Sequence, residues 1–265
     1  MKVAVAQLSS SENKDENLLK AENYVIKAKN EQADFIVFPE HYMASFTSPE
    51  VNRSEVSEKV DGPFVTELCR MAEENNIYIL CGIYEYAENE SFRSYNSVVT
   101  INREGEVVDC YRKNYLYDAF SAKESDTSVL GSAPPKVINT EFGKIGVIIC
   151  YELRFPEITR YLTSKGAEFI FIPTAWKDGI LKEHHWRTLL QARAIENTVF
   201  IIGADQIDNN NVGNSMIIDP MGTPIAQAGE EEALIVSEIN TNRLKTVRKK
   251  LPSLEHTKPA SFYES

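Results

Sequence analysis

Three residues spread over the first 150 positions have side chains suited to acyl transfer. Each of them, Glu40, Lys113 and Cys150, closely follows a short apolar run. A thiol alone is a weak nucleophile at neutral pH, because its pKa is about 8.5. Glu40 could accept its proton, and Lys113 could stabilise the thiolate and any negative oxygen that develops on a substrate.

The apolar runs before these residues predict buried strands, over residues 33–38, 106–111 and 144–149. If these strands are neighbours whose ends lie on one edge of a sheet, the three side chains converge. An alternative is equally compatible with the spacing. Free cysteines are among the most buried residues, and charged residues at strand ends are usually only solvated, so Cys150 could be an inert core thiol.

The remaining pattern predicts many strands and few helices, with both crossovers and hairpins. We expect an α/β fold of two mixed β-sheets stacked face to face with helices on both outer faces, a four-layer α-β-β-α sandwich. Residues 1–265 show no internal linker or repeat and predict a single domain, with roughly the last 15 residues as an irregular tail. Helices are predicted over residues 17–29, 64–75, 156–165, 185–197 and 240–250.

Composition excludes several classes of function. The chain has 28 basic and 39 acidic residues, a net charge of −11, which makes nucleic acids and anionic membranes poor partners. No stretch approaches the ~20 apolar residues of a membrane span. The four cysteines, Cys69, Cys81, Cys110 and Cys150, have no metal-ligand or disulfide spacing. We therefore expect a cytoplasmic protein without metal or cofactor.

Four segments, in the same order, resemble the nitrilase superfamily, the carbon-nitrogen hydrolases. Phe38-Pro39-Glu40 is similar to the glutamate motif of that family, and Tyr111-Arg112-Lys113 is similar to its lysine motif. The segment from Cys150 to Glu157 is similar to the cysteine motif. The predicted helix His185–Asn197 is similar to a helix of the amidase branches. Together these matches cover most of the chain.

The resemblance implies a four-layer sandwich that dimerises through its helices. It also implies that Cys150 is the nucleophile, Glu40 the general base and Lys113 the group that stabilises the transition state. Glu124, in Lys123-Glu124-Ser125, is similar to a second active-site glutamate of many members.

Two further residues are candidates for the site. The backbone N–H of Tyr151 would help Lys113 to hold the oxyanion. Trp176 follows a buried strand and would line the pocket, although an aromatic core residue is an equal alternative. The charged neighbours of the nucleophile, Arg154 and Glu157, are interpreted as supporting or helix-start charges rather than substrate contacts.

The predicted function is hydrolysis of a small linear carboxamide to a carboxylic acid and ammonia through a cysteine thioester. The cysteine motif resembles the ω-amidase and deaminated-glutathione amidase branches, which suggests monoamides of short dicarboxylates, such as 2-oxoglutaramate. An N-carbamoyl compound or a nitrile remains an alternative substrate. A non-catalytic binding or oligomerisation module is an alternative of a different class, and a thiol redox protein would lack a resolving cysteine. Expected partners are a small amide substrate and further copies of the chain, as a homodimer or a higher homo-oligomer.

Overall fold

The computed structural model describes residues 1–46, 48–258 and 262. Its helices are α1 (Lys14–Asn30), α2 (Arg53–Val56), α3 (Pro63–Asn75), α4 (Pro156–Ser164), α5 (Lys182–Asn197) and α6 (Thr241–Lys250). Its strands are β1 (Lys2–Gln7), β2 (Phe35–Val37), β3 (Tyr78–Glu85), β4 (Ser94–Ile101), β5 (Val107–Arg112), β6 (Ser128–Val129), β7 (Ile138–Thr140), β8 (Gly143–Val147), β9 (Phe169–Thr174), β10 (Phe200–Asp205), β11 (Ile207–Asp208), β12 (Asn211–Val212), β13 (Met216–Ile218), β14 (Pro224–Gln227) and β15 (Ala233–Glu238). Two 3-10 turns, Glu124–Asp126 and Cys150–Arg154, lie between these elements.

Two large mixed sheets contain most of the strands. The first has the order β15-β1-β2-β3-β4-β5, with β6 beside β4, and the second has the order β14-β13-β10-β9-β8-β7. Strands β1, β2 and β3 are parallel, whereas β3, β4 and β5 form the antiparallel meander expected from the sequence. In the second sheet β8, β9 and β10 are parallel. The first sheet is completed by β15, which returns from the C-terminal part of the chain to pair with β1.

Alternate residues of the first sheet enter two different hydrophobic clusters, as the period of two in a strand requires. In β1, Val3 and Val5 belong to the cluster shared with the second sheet, whereas Ala4 and Ala6 belong to the cluster with α1 and α3. The second sheet is covered on its other face by α4 and α5. An added Cβ on Gly203 of β10 would lie 2.8 Å from the Trp186 ring, so α5 packs very closely there. These layers confirm the predicted α-β-β-α sandwich.

The helix boundaries follow from their capping residues. Asn13 accepts hydrogen bonds from the backbone N–H groups of residues 15 and 16 at 2.8 and 3.3 Å, which fixes the start of α1. Pro63 opens α3, and Asn76 ends it in the left-handed conformation at φ 50°. Helix α5 begins three residues earlier than predicted, because Lys182 and its polar neighbours do not contribute to the apolar period.

Other differences from the predicted elements are short. Strand β8 ends at Val147, two residues before the predicted end, and Ile148 still donates a backbone hydrogen bond to Phe171. The elements α2, β6, β11 and β12 were not predicted, since two to four residues carry too little periodicity. In the predicted tail, residues 251–258 form no helix or strand, and residues 259–261 and 263–265 lie outside the described residues. Over the described ranges, none of the helices has the length and apolar character needed to cross a membrane.

Candidate active site

The predicted site residues meet at one cavity of about 490 Å³. Glu40 follows β2 and Lys113 follows β5, both in the first sheet, whereas Cys150 follows β8 in the second sheet. The expectation that neighbouring strands of one sheet present the three side chains is therefore wrong: the site is formed where the two sheets meet. Residues that line the cavity include Glu40, Lys113, Glu124, Cys150, Tyr151, Arg154, Trp176 and Lys182.

Cys150 occupies a strained backbone position. It has φ +46°, in the left-handed region that is unfavourable for a residue with a side chain, and it opens the 3-10 turn Cys150–Arg154. The residue is only 8% exposed. A sharp turn of this kind directs the thiol into the cavity from the end of a buried strand.

Glu152 holds this turn against the segment that carries the lysine. Its carboxylate accepts hydrogen bonds from the N–H of Ile149 at 2.8 Å, the N–H of Asn114 at 2.6 Å and the hydroxyl of Tyr111 at 2.8 Å. Burial raises the pKa of Glu152 to about 7, although the three donors favour the charged form. The nucleophile turn and the lysine segment are thus fixed to each other by one buried side chain.

Lys113 lies between two carboxylates. Its Nζ donates to Glu40 Oε1 and to Glu124 Oε2, both at 2.8 Å, and its side chain is 2% exposed. Burial disfavours the ammonium, but the charges of Glu124 and Glu40 outweigh it and hold the pKa of Lys113 well above its ordinary value. The cavity therefore contains a permanent positive charge.

Glu40 is hydrogen-bonded through both carboxylate oxygens. Oε1 accepts from Lys113 and from Asn96 Nδ2, each at 2.8 Å, and Oε2 accepts from the N–H of Ala175 at 2.8 Å. Burial raises the pKa of Glu40, but Lys113 together with His41 and these hydrogen bonds prevails and lowers it to about 2. The Glu40 carboxylate is therefore ionised and can accept a proton.

The Cys150 thiol lines the same cavity as Glu40 and is neutral at rest. Burial, and after it the charge of Glu40, raises the pKa of Cys150 well above its ordinary value, while Lys113 acts in the opposite direction. A neutral thiol in the same cavity as an ionised carboxylate can transfer its proton to that carboxylate.

Glu124 belongs to the 3-10 turn Glu124–Asp126. Its Oε1 accepts from Asn96 Nδ2 at 2.8 Å, and its Oε2 accepts from Lys113 and from the N–H of Tyr117 at 2.6 Å. Its backbone N–H donates to the Tyr117 carbonyl at 3.2 Å. Glu124 therefore both neutralises Lys113 and folds the segment from Tyr117 back over the cavity.

The wall of the cavity beyond Cys150 is cationic. The guanidinium of Arg154 lies 4.7 Å from the Trp176 ring, and its Nε and Nη2 are buried without a hydrogen-bond partner. Lys182 Nζ donates to the Tyr117 hydroxyl at 2.8 Å. Burial, and after it Arg154, lowers the pKa of Lys182. Arg154, interpreted from the sequence as a supporting charge, thus lines the cavity.

Trp176 combines the two alternatives that its sequence position left open. It lines the cavity, yet it is only 3% exposed and packs against Trp186 with ring centroids 5.4 Å apart. Its indole Nε1 donates to the Lys182 carbonyl at 2.9 Å. Tyr151 also lines the cavity, with its ring edge-on to Tyr117 at 5.1 Å.

Glu40, His41 and Glu124 have potential metal-ligand atoms within 4.8 Å of one another. The ammonium of Lys113 already bridges the two carboxylates at 2.8 Å. A metal ion there would have to displace Lys113 or lie beside its charge, so this donor set fits the ammonium better than a metal.

Sequence reasoning did not identify Asn96, Lys182 or the supporting role of Glu152. Asn96 lies in a buried strand whose pattern indicates only a core position, and it is 0% exposed. Lys182 precedes the predicted start of its helix. A signal for Glu152 was available, since an acidic residue within an otherwise buried turn requires a partner.

Comparisons with known proteins identify the family of this chain. The profile of the family described as Carbon-nitrogen hydrolase matches residues 2–249. A deaminated glutathione amidase of Synechocystis is 36% identical over 265 residues, covering 96% of this chain and 96% of that protein. Nit3 of Saccharomyces cerevisiae, a member of branch 10 of the nitrilase superfamily, superposes with a TM-score of 0.86 at 30% identity over 95% of this chain and 94% of its own. The NitFhit protein of C. elegans superposes with a TM-score of 0.89 at 26% identity over 97% of this chain, which spans 65% of the NitFhit chain.

The sequence resemblance and the predicted hydrolysis of an amide are thereby confirmed. The match extends over nearly the whole chain and includes all four of the motifs compared above. The chain belongs to the carbon-nitrogen hydrolase family and is an enzyme that cleaves the carbon–nitrogen bond of amides.

Proposed function

We propose that Cys150 attacks the carbonyl carbon of a small carboxamide, with Glu40 as general base and Lys113 as the cation that stabilises the oxyanion. The observation that carries the proposal is the Lys113 ammonium, held at 2.8 Å from both Glu40 and Glu124 beside a neutral buried thiol. A carboxylate, an ammonium and a thiol in one cavity supply what acyl transfer needs.

In the first half of the reaction, Glu40 takes the Cys150 proton while sulfur bonds to the carbonyl carbon. The oxygen becomes negative and is held by Lys113 and by the backbone N–H of Tyr151. Glu40 then gives its proton to the amide nitrogen, the carbon–nitrogen bond breaks, and ammonia or an amine leaves. An acyl thioester remains on Cys150.

In the second half, Glu40 takes a proton from water, and the resulting hydroxide attacks the thioester carbon. The carbon–sulfur bond breaks, the carboxylic acid leaves, and the proton returns to sulfur. Glu124 keeps Lys113 charged and in place through both halves, since it accepts one of the Lys113 hydrogen bonds.

The substrate we propose carries a carboxylate at the end distant from the scissile amide. Arg154 offers two buried unpaired donors, and Lys182 adds a second positive charge nearby. A carboxylate would accept a bidentate hydrogen bond from the guanidinium. Monoamides of short dicarboxylates meet this requirement, and the names of relatives that act on deaminated glutathione agree with an acidic substrate.

A panel of purified compounds tests the proposal. Carboxylate-bearing monoamides, neutral amides, nitriles and N-carbamoyl amino acids are offered to the enzyme, and release of ammonia or amine is measured. We expect turnover of the acidic monoamides and a mass increase on Cys150 that corresponds to the acyl group after acid quenching. The Cys150→Ala variant should release no product.

Cys69→Ala is the matched control, because Cys69 is a half-buried free thiol on α3 and its removal should leave turnover unchanged. Turnover of nitriles without turnover of amides would contradict the proposed substrate class. Turnover by Cys150→Ala at the wild-type rate would contradict the thioester.

The assembly we propose is a homodimer formed through the helical face of the second sheet. Tyr161 on α4 and Ile195 on α5 are exposed there, next to the exposed Met221. The side chain of Ile195 reaches Gly222, where an added Cβ would lie 2.6 Å away, so Ile195 and Met221 lie close together.

We further infer that residues 1–265 form one domain, because β15 closes the sheet that β1 begins. A cytoplasmic location is also proposed: all four cysteines are free, including Cys69 and Cys110 near the surface, as suits a reducing compartment.

A further inference from the structure

Asn96 contacts both carboxylates of the site with one nitrogen atom. It lies on β4 and is completely buried. Its Nδ2 donates to Glu40 Oε1 and to Glu124 Oε1, both at 2.8 Å. Its backbone carbonyl accepts the N–H of Lys113 at 2.9 Å. The residue is thus connected to three of the four predicted catalytic side chains or their backbone.

The chemistry of an amide fixes the orientation of this side chain. The nitrogen has two hydrogens, and the two carboxylates use both of them. The flipped amide would place Oδ1 against two negatively charged oxygens. In the observed orientation Oδ1 is buried without a hydrogen-bond partner, which is unfavourable in a folded protein. The unpaired Oδ1 therefore indicates that the two hydrogen bonds donated by Nδ2 have a function.

The function follows from the charges at this point of the cavity. Two carboxylates share a single ammonium, so one negative charge is not neutralised by Lys113. We propose that Asn96 is a positioning residue that holds Glu40 and Glu124 turned toward Lys113 and keeps Glu40 available to accept a proton. This inference rests on the proposed reaction, in which Glu40 must be ionised to take the thiol proton.

Other groups act on Glu40 as well. The pKa of Glu40 is lowered by Lys113, by His41 and by the Asn96 hydrogen bond. His41 Nε2 lies 3.2 Å from Asn96 Nδ2, and burial lowers the pKa of His41, while the charges of Glu40 and Glu124 act in the opposite direction. The remaining groups whose charge acts on Glu40 or its neighbours are Glu124, Cys150, Asp205, Tyr84 and Arg53.

The test uses Asn96→Leu, which keeps the size of the side chain and removes both donors. The first measurement is the rate at which iodoacetamide alkylates Cys150, followed by mass spectrometry after short jumps to pH values from about 1.5 to about 7. In the wild type the acid limb of this profile lies near the Glu40 pKa of about 2, and it should move to higher pH by about one unit, because protonation of Glu40 becomes easier. The kcat/KM for an acidic monoamide should fall by about 100-fold.

Ser97→Ala is the control, because Ser97 is the next residue of β4, is equally buried, and donates at 2.7 Å to Glu85, a carboxylate outside the cavity. This variant should leave both the pH profile of alkylation and the kcat/KM unchanged. The proposal is overturned if Asn96→Leu keeps the wild-type acid limb, or if Ser97→Ala moves it equally.

Asn96→Ala, which removes both donors without adding a charge, decides the question by the same criteria if the leucine variant does not fold. The alkylation profile needs no amide turnover. If the wild-type enzyme hydrolyses no amide in the panel, the proposed function fails while the role of Asn96 is still decided.

Discussion

Arg154 gives the sharpest test of how the enzyme recognises its substrate. The substitution Arg154→Leu removes the guanidinium and keeps an apolar side chain against Trp176. In the wild-type cavity, Nε and Nη2 of Arg154 are buried and lack partners, so a substrate carboxylate would gain two charge-assisted hydrogen bonds. Each is worth roughly 1.5–3 kcal/mol before desolvation of the carboxylate is subtracted.

A net loss of about 2–3 kcal/mol corresponds to a decrease of roughly 30- to 150-fold in kcat/KM. The assay compares two substrates of equal length, the monoamide of succinic acid and butyramide, which has a methyl group in place of the carboxylate. Ammonia release is measured for each with wild-type and variant enzyme. The decrease should be confined to the acidic substrate.

Arg187→Leu serves as the control for charge, because Arg187 lies on α5 and donates to Gln227, and neither residue is among those that line the cavity. This variant should leave the kcat/KM for both substrates unchanged. Equal losses for the monoamide and butyramide with Arg154→Leu would refute the reasoning, because Arg154 would then support the nucleophile turn rather than bind the carboxylate.

Three other outcomes are expected. Lys113→Met should lower kcat by about 1000-fold or more without unfolding the protein, as measured by ammonia release and circular dichroism, and undiminished activity would remove the lysine from the mechanism. Because the folded pKa of Glu152 is about 7, above its ordinary value of 4.5, its contribution to stability should be lost as pH rises from 4.5 through 7. Urea unfolding should show a weaker pH dependence for Glu152→Gln, and an unchanged dependence would mean that Glu152 is ionised throughout. Ile195→Asp should convert the proposed dimer to a monomer in analytical ultracentrifugation, whereas an unchanged mass would exclude this face as the interface.

The sequence was sufficient to predict that the three main candidate residues each follow a strand. Glu40, Lys113 and Cys150 each follow a strand, as their apolar runs predicted. Hydrophobic periodicity does not specify which strands become neighbours, and for that reason the assignment of the three strands to one sheet edge was wrong. Pairing is decided by contacts between distant segments, such as β15 with β1.

Other features of the site had no signal in the pattern. Nothing in the residue types around Cys150 indicates φ +46°, because a left-handed residue is normally marked by glycine or asparagine. Asn96 looks like any polar residue of a meander strand, and its importance arises only from the place where its amide ends. Arg154 was interpreted from the sequence as a supporting charge, and its contact with a substrate carboxylate remains a proposal.

The location of the cavity at the junction of two sheets has a consequence for how this enzyme acquires activity. Glu40 and Lys113 follow strands of one sheet and Cys150 follows a strand of the other, so neither sheet alone brings the three side chains together. During refolding, turnover therefore requires that the two sheets have docked, since the cavity is lined by residues from both. Recovery of catalysis therefore reports that docking, and two fragments divided between β6 and β7 should be inert separately and active only after they associate.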